Sequence, residues 1–212
     1  MIRFRDLQNL LLEWSKNDPI PEITRMSDHL AIILIGPPAS GKTTFANNFI
    51  RARNHGIVSF SSDDVRKLLA KGNENIHPDH PLISGKDSAL LKRRMRNVMK
   101  TGTNFIYDFT GNSEMWMAEA IPRLRSFGYT IVFIHLLVPL EQALKQNQIR
   151  ARQTPEDFIR YSYKITQPMM KIYGALHPDA YYVIVNTNGK YVFYKITKNG
   201  LEKRKVDHYE LM

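Results

Sequence analysis

A glycine, four residues, a second glycine, a lysine and two threonines stand in one run, Gly36-Pro37-Pro38-Ala39-Ser40-Gly41-Lys42-Thr43-Thr44. Just before it, His29 to Ile35 is apolar and rich in β-branched residues, which suits a buried strand. Just after it, Thr43 to about Arg53 reads as a helix, with Phe45 and Phe49 one turn apart. Gly36 and Gly41 let the chain bend until consecutive N–H groups point into one concavity. The helix that begins near Lys42 aims its positive end at the same point. A strand, such a loop and a helix in this order form a P-loop, and they predict a bound nucleotide. Lys42 is expected to reach the β- and γ-phosphates of ATP and the Thr43 hydroxyl to bind Mg2+. Gly36, Ser40, Gly41, Lys42, Thr43 and Thr44 are therefore the expected nucleotide-binding residues.

The alternation of strand and helix continues. Ile57 to Phe60, Asn104 to Phe109, Thr130 to Val138 and Tyr181 to Val185 read as further strands. Between them fall helices over Asp63 to Ala70, Lys86 to Thr101 and Ser113 to about Phe127, and others opened by Pro139 and by Thr154-Pro155-Glu156-Asp157. Leu91, Met95 and Val98 mark the buried face of the helix from Lys86. Phe158, Tyr161, Ile165, Met169 and Ile172 mark that of the last helix. The pattern predicts an α/β fold, a mostly parallel five-stranded sheet with helices on both faces. An amphipathic helix on Leu7, Leu10, Leu11 and Trp14 opens the chain, and Asn73 to Ser84, with Pro78 and Pro81, reads as a loop. Asn188-Gly189 and Asn199-Gly200 punctuate a C-terminal antiparallel meander of Tyr191 to Ile196 and Leu201 to Val206. The expected organisation is an N-terminal helix and linker (1–28), a nucleotide-binding domain with a lid near 146–156 (29–186), and a C-terminal β appendage of the same domain (187–212).

Charge narrows the choice of partner. Lys and Arg number 30 against 20 acids, a formal net charge of +10, which favours a polyanion: nucleic acid, a phosphorylated ligand or an anionic surface. There is no cysteine, so disulfides and thiolate metal sites are excluded. The longest apolar run, near Tyr129 to Leu140, is too short to span a bilayer, and Arg3, Arg5 and Asp6 interrupt any signal-type start. The expectation is a soluble, cytoplasmic protein with no membrane partner.

Three further segments carry chemistry. Ser61-Ser62-Asp63-Asp64-Val65-Arg66 follows the second strand, where an acid can face the terminal phosphate and accept the proton of an attacking hydroxyl. Arg66, one turn on, can grip an acceptor phosphate. The competing reading is that Ser62, Asp63 or Asp64 caps the helix. Asp108 ends the third strand, placed to orient Arg66, to hold the metal's water shell or to serve as an ordinary turn acid. Asn147 to Pro155, with Arg150 and Arg152, joins two helices. Its arginines can close over a triphosphate, or simply sit at a helix C-terminus.

With these residues in this order, the stretch from about 30 to 186 resembles the phage and bacterial polynucleotide 5′-kinases and the P-loop kinases around them. The resemblance implies that Asp63 is the general base, Arg66 contacts the acceptor phosphate and Asp108 helps hold the acceptor site. It also implies that Arg150, three residues after Asn147, is a lid arginine on the donor phosphates. Lys42, Asp63 and Arg150 would be the catalytic set. The family often has Arg where Gln146 stands, and Gly-Ser where this loop has Ala39-Ser40.

The acceptor is less constrained. Lys86, Lys92, Arg93, Arg94, Arg96 and Lys100 crowd one predicted helix, where Lys92, Arg96 and Lys100 share a face turned away from Leu91, Met95 and Val98. Such a helix can track a phosphate backbone or be a solvated face. Trp116 and the aromatic residues Tyr191, Phe193 and Tyr194 can stack on bases but read more simply as packing. His77 and His80 lack the further ligands a metal site needs. The expected substrate is therefore nucleic acid, DNA before RNA, phosphorylated at a 5′-hydroxyl. Alternatives are a kinase of 5-hydroxymethyluracil bases in phage DNA, a small-molecule kinase of nucleosides or sugars, and a nucleotide-gated binding module. The cell implied is a bacterium or a phage-infected host.

Overall fold

A computed structural model describes residues 29–51, 56–71, 86–112, 114–150, 153–187, 190–197 and 200–203. The expected N-terminal helix, the loop from Asn73 to Ser84, Arg152 and the chain after Lys203 lie outside these residues.

Strand β1 (Leu30–Ile35) is buried along its whole length. Its side chains alternate between two cores. Ala31, Ile33 and Ile35 face one with Phe105, Tyr107, Ile131 and Phe133. Leu30, Ile32 and Leu34 face the other with Ile106, Val132 and Ile134. A strand covered on both sides needs apolar residues at every position, which is why this one reads as an unbroken hydrophobic run. Beside it lie β3 (Phe105–Phe109) and β4 (Thr130–Leu137), both parallel to it. Outside these come β2 (Val58–Ser61) on β3 and β5 (Ala180–Thr187) on β4, also parallel.

The sheet does not stop at the expected five strands. β6 (Lys190–Thr197) and β7 (Gly200–Lys203) pair antiparallel onto β5, giving seven strands in the order β2-β3-β1-β4-β5-β6-β7. Thr187 pairs with Lys190 and Thr197 with Gly200, so two residues separate the strand ends in each hairpin. Phe193 is buried in the second core, and Tyr194 packs against the first. These two aromatic residues are packing rather than a base-stacking platform.

Helices fill both faces. α1 (Lys42–Phe45) runs straight into a π-helical stretch, Ala46–Arg51, and buries Phe45, Ala46 and Ile50 in the second core. On the first core lie α2 (Ser62–Leu69), α3 (Lys86–Thr101) and α4 (Glu114–Ser126). α5 (Leu140–Gln148) and α6 (Glu156–Ala175) form the helical pair after β4. No helix among the described residues is long and apolar enough to cross a membrane.

The stripe expected on α6 holds at Met169, which packs against the first core, but is displaced at its start. Phe158 and Tyr161 are exposed, and Ile159, Ser162, Thr166 and Tyr173 are buried instead. The buried hydroxyls satisfy themselves on the preceding turn, Ser162 donating to the Phe158 carbonyl at 2.7 Å and Thr166 to the Ser162 carbonyl at 2.6 Å. Small hydroxyl residues bonded this way pack closely without an orphaned donor, so apolarity alone picks the wrong face.

Candidate active site

The C-terminal ends of β1, β2 and β3 meet at one edge of the sheet. Leu34 lies beside Asp108 and Asp108 beside Ser61, so the loop after β1, the acid segment after β2 and the strand-end acid share one rim.

In the loop, Gly36 comes so close to β4 that a Cβ there would lie 2.6 Å from the Leu136 carbonyl oxygen and 2.9 Å from Ser40 Oγ. Gly41 takes φ +85°, which favours glycine, and its carbonyl accepts from Phe45 N at 2.9 Å to start α1. Lys42 turns back into the loop, where its Nζ donates to the carbonyls of Gly36 at 2.8 Å and Pro37 at 2.9 Å. Asp108 Oδ1 lies 3.7 Å from the same nitrogen, and Asp108 Oδ2 accepts from the Thr43 hydroxyl at 3.2 Å. Ser40 Oγ is buried with no partner among the described residues.

Burial pulls the Lys42 ammonium below the usual lysine range. Asp108 opposes this, Arg150 reinforces it and Asp63 opposes it. Residues expected from three separate segments therefore act on one charge. His135, buried on β4 and bonded through Nδ1 to Tyr181 Oη at 3.1 Å, also feels Lys42. Burial pushes its imidazole down to about 3, so it stays neutral and adds no charge to the rim.

At the start of α2 the cap is Ser61, one residue earlier than the candidates considered from the sequence. Its hydroxyl accepts from Asp64 N at 3.0 Å and donates to Asp64 Oδ2 at 2.9 Å. Capping thus occupies Ser61 and Asp64, and Asp63 projects with 62% of its side chain exposed. Arg66 NH1 lies 3.4 Å from Asp63 Oδ1, and its Nε donates to Asp87 Oδ2 at 2.9 Å. Asp87 is itself anchored, its other oxygen accepting from Ser88 N at 2.8 Å. The acids bonded to Arg66 are Asp63 and Asp87, whereas the contacts of Asp108 lie with Lys42 and Thr43. Asp87 went unnoticed in the sequence, where an acid opening a basic helix reads only as a dipole partner.

The segment after α5 is pinned by Asn147. Its buried amide donates to the Thr154 carbonyl and accepts from Thr154 N, both at 2.8 Å. Gln153 Nε2 adds a bond to the Gln148 carbonyl at 3.0 Å. Arg150 stands exposed inside the loop so closed, near enough to weigh on Lys42.

Solved structures share this fold. A chain of the PezAT chromosomal toxin–antitoxin system of Streptococcus pneumoniae matches with TM-score 0.60 and 14% identity over 88% of this chain and 80% of its own. The AvrRxo1-ORF1:-ORF2 structure with ATP gives TM-score 0.63 and 16% identity over 93% of this chain and 68% of the other. A chain of the Pnkp1/Rnl/Hen1 RNA repair complex gives TM-score 0.54 and 24% identity over 66% of this chain, which spans only 45% of that one. No curated protein matches the sequence. The AAA domain family model matches residues 32–163, more than half of the chain, from within β1 into α6. The chain belongs to the AAA domain family.

Proposed function

We propose that this protein is a kinase that transfers the γ-phosphate of ATP to a hydroxyl on nucleic acid, foremost the 5′-hydroxyl end of a strand. One observation carries the reading. An exposed carboxylate, Asp63, and a guanidinium fixed between two acids, Arg66, stand on the same rim as the Lys42 ammonium. A module that only binds nucleotide has no use for an acid free to take a proton beside a fixed arginine.

The loop fits the groups it would hold. Ser40 Oγ is a buried polar atom in need of a partner, and the backbone at Gly36 has no room for a side chain. Gly36, Ser40, Gly41, Lys42, Thr43 and Thr44 would hold the phosphates of ATP, and Thr43 with Asp108 would hold Mg2+. When bound, ATP supplies the phosphoryl group and Mg2+ screens its charge. Lys42 and Arg150 neutralise negative charge on the donor side. Arg66 binds an acceptor phosphate, and Asp63 takes the proton of the acceptor hydroxyl at its exposed carboxylate. Residues 29–186 form the transferring unit in this reading. The fold's occurrence in an RNA repair complex and in a structure with ATP agrees with it.

The test is γ-labelled ATP and Mg2+ with four acceptors: a 5′-hydroxyl oligonucleotide, a 5′-blocked one, a blocked duplex containing 5-hydroxymethyluracil, and nucleosides. Label on the unblocked end alone is the expected result. Label on the blocked modified duplex would make the base the acceptor, and label on nucleosides alone would remove nucleic acid from the reading.

Asp87 supplies a further expectation. Asp87→Asn removes the charged partner of the Arg66 Nε, and a hydrogen bond between charged groups is worth about 1.5–3 kcal/mol. The acceptor KM should rise about tenfold, with the KM for ATP unchanged. Steady-state kinetics with each substrate varied in turn checks this, and equal changes in both constants would refute it.

A further inference from the structure

We propose that the cleft between α3 and α4 holds a phosphodiester of the acceptor strand, on the 3′ side of the end that is phosphorylated. This rests on the nucleic-acid reading above and says where the polymer lies.

The cleft has a volume of about 120 Å³ and is lined by Lys92, Met95, Arg96 and Met99 of α3 and by Trp116, Glu119, Ala120 and Arg123 of α4. Lys92, Arg96 and Arg123 set their charges against Glu119, a cationic excess drawn from two helices. Met95 and Met99 are buried beneath it, and the Trp116 ring is partly buried. An inorganic anion would be served by the cations alone. Cations around an apolar, aromatic floor suit a ligand that alternates phosphate with sugar and base. The arrangement also corrects an expectation. Lys92 and Arg96 stand at the border of the apolar stripe rather than opposite it, because both line the cleft together with Met95 and Met99.

The position relative to the rim is specific. Trp116 packs on Tyr107 at 4.6 Å and on Phe109 at 5.4 Å, the neighbours of Asp108 on β3. Asp87, which holds Arg66, begins the same helix that carries Lys92 and Arg96. At 1.5 Å per residue Lys92 follows Asp87 by about 7.5 Å and Arg96 follows Lys92 by about 6 Å. A strand whose end is gripped at Arg66 can thus continue along α3 with a cation near each successive phosphate. A nucleoside or sugar acceptor would end before reaching the cleft.

The experiment uses the full chain and a 5′-phosphorylated single-stranded oligonucleotide, which reports binding without transfer. Arg96→Gln with Arg123→Gln should weaken binding about 10- to 100-fold at low salt. The slope of log K against log salt should fall by about 0.7, the contribution of one single-strand phosphate contact. Neutralising two exposed cations elsewhere, Lys145→Gln with Lys164→Gln, should change affinity less than about threefold. Transfer to a nucleoside 3′-monophosphate should be unchanged in the cleft variant. Equal losses in both double variants would overturn the site, since net charge alone would then explain them. Loss of transfer to the short acceptor would overturn it too, as would competition by poly-L-glutamate as strong as that by the oligonucleotide. If the wild type binds the strand at the cleft but phosphorylates no acceptor, the kinase reading fails and the cleft stands.

Discussion

Replacing Asp63 by Asn is expected to cut phosphoryl transfer by about 10²- to 10⁴-fold, the range a positioned general base contributes. Affinity for ATP should stay within about threefold of the wild type, because in the proposed reading the carboxylate serves the acceptor and not the nucleotide. Asn keeps the shape of the side chain but takes no proton at neutral pH. The fold should not notice the change. Ser61 and Asp64 cap α2, and Asp63 is exposed, with Arg66 3.4 Å away. Asp64→Asn is the matched control, since it weakens the capping arrangement and leaves the projecting acid in place. Transfer rates and calorimetric ATP binding on both variants separate the roles. An Asp63→Asn enzyme that keeps its rate, or an Asp64→Asn enzyme that loses it, would move the base elsewhere.

The resemblance points to Asp63, but the residues by themselves offer Asp63 and Asp64 as equals, both as base and as cap. Their difference arises because Ser61, the last residue of β2, turns its hydroxyl onto the next helix. The loop from Gly36 to Thr44 was legible for the opposite reason. Its glycines, lysine and threonines act within nine consecutive residues, and the strand before it is too apolar to be anything but central. Local signals also placed α3 correctly from Lys86 to Thr101.

What escaped reading depends on contacts between distant residues. Asp87 meets Arg66 across a separation of 21 residues. Asn147 exchanges bonds with the backbone of Thr154, a use of an amide that no spacing rule announces. The buried hydroxyls of α6 hide in a pattern where Phe158 and Tyr161 look like the better core. Whether a terminal hairpin stands apart or extends the sheet is decided by the free edge of β5, and here β6 takes it.

Lys42→Met should lower transfer by about 10²- to 10³-fold, the cost of removing one preorganised donor from developing negative charge. It should also weaken ATP binding, and pH shows why. Lys42 is buried, and in the ligand-free fold burial holds its ammonium below the usual lysine range. The unfolded chain therefore keeps this proton to higher pH than the folded one, so the charged lysine is held at a cost that bound phosphate can offset. As pH rises through the lowered pKa, Lys42 loses its proton and wild-type ATP affinity should fall, in a range where an ordinary lysine would still be charged. Lys42→Met should bind ATP weakly and without that alkaline decline. Calorimetric titrations of both proteins from neutral to alkaline pH give the comparison. A decline that survives in Lys42→Met would belong to another group, and undiminished affinity at neutral pH would mean that the lysine serves only to brace the carbonyls of Gly36 and Pro37.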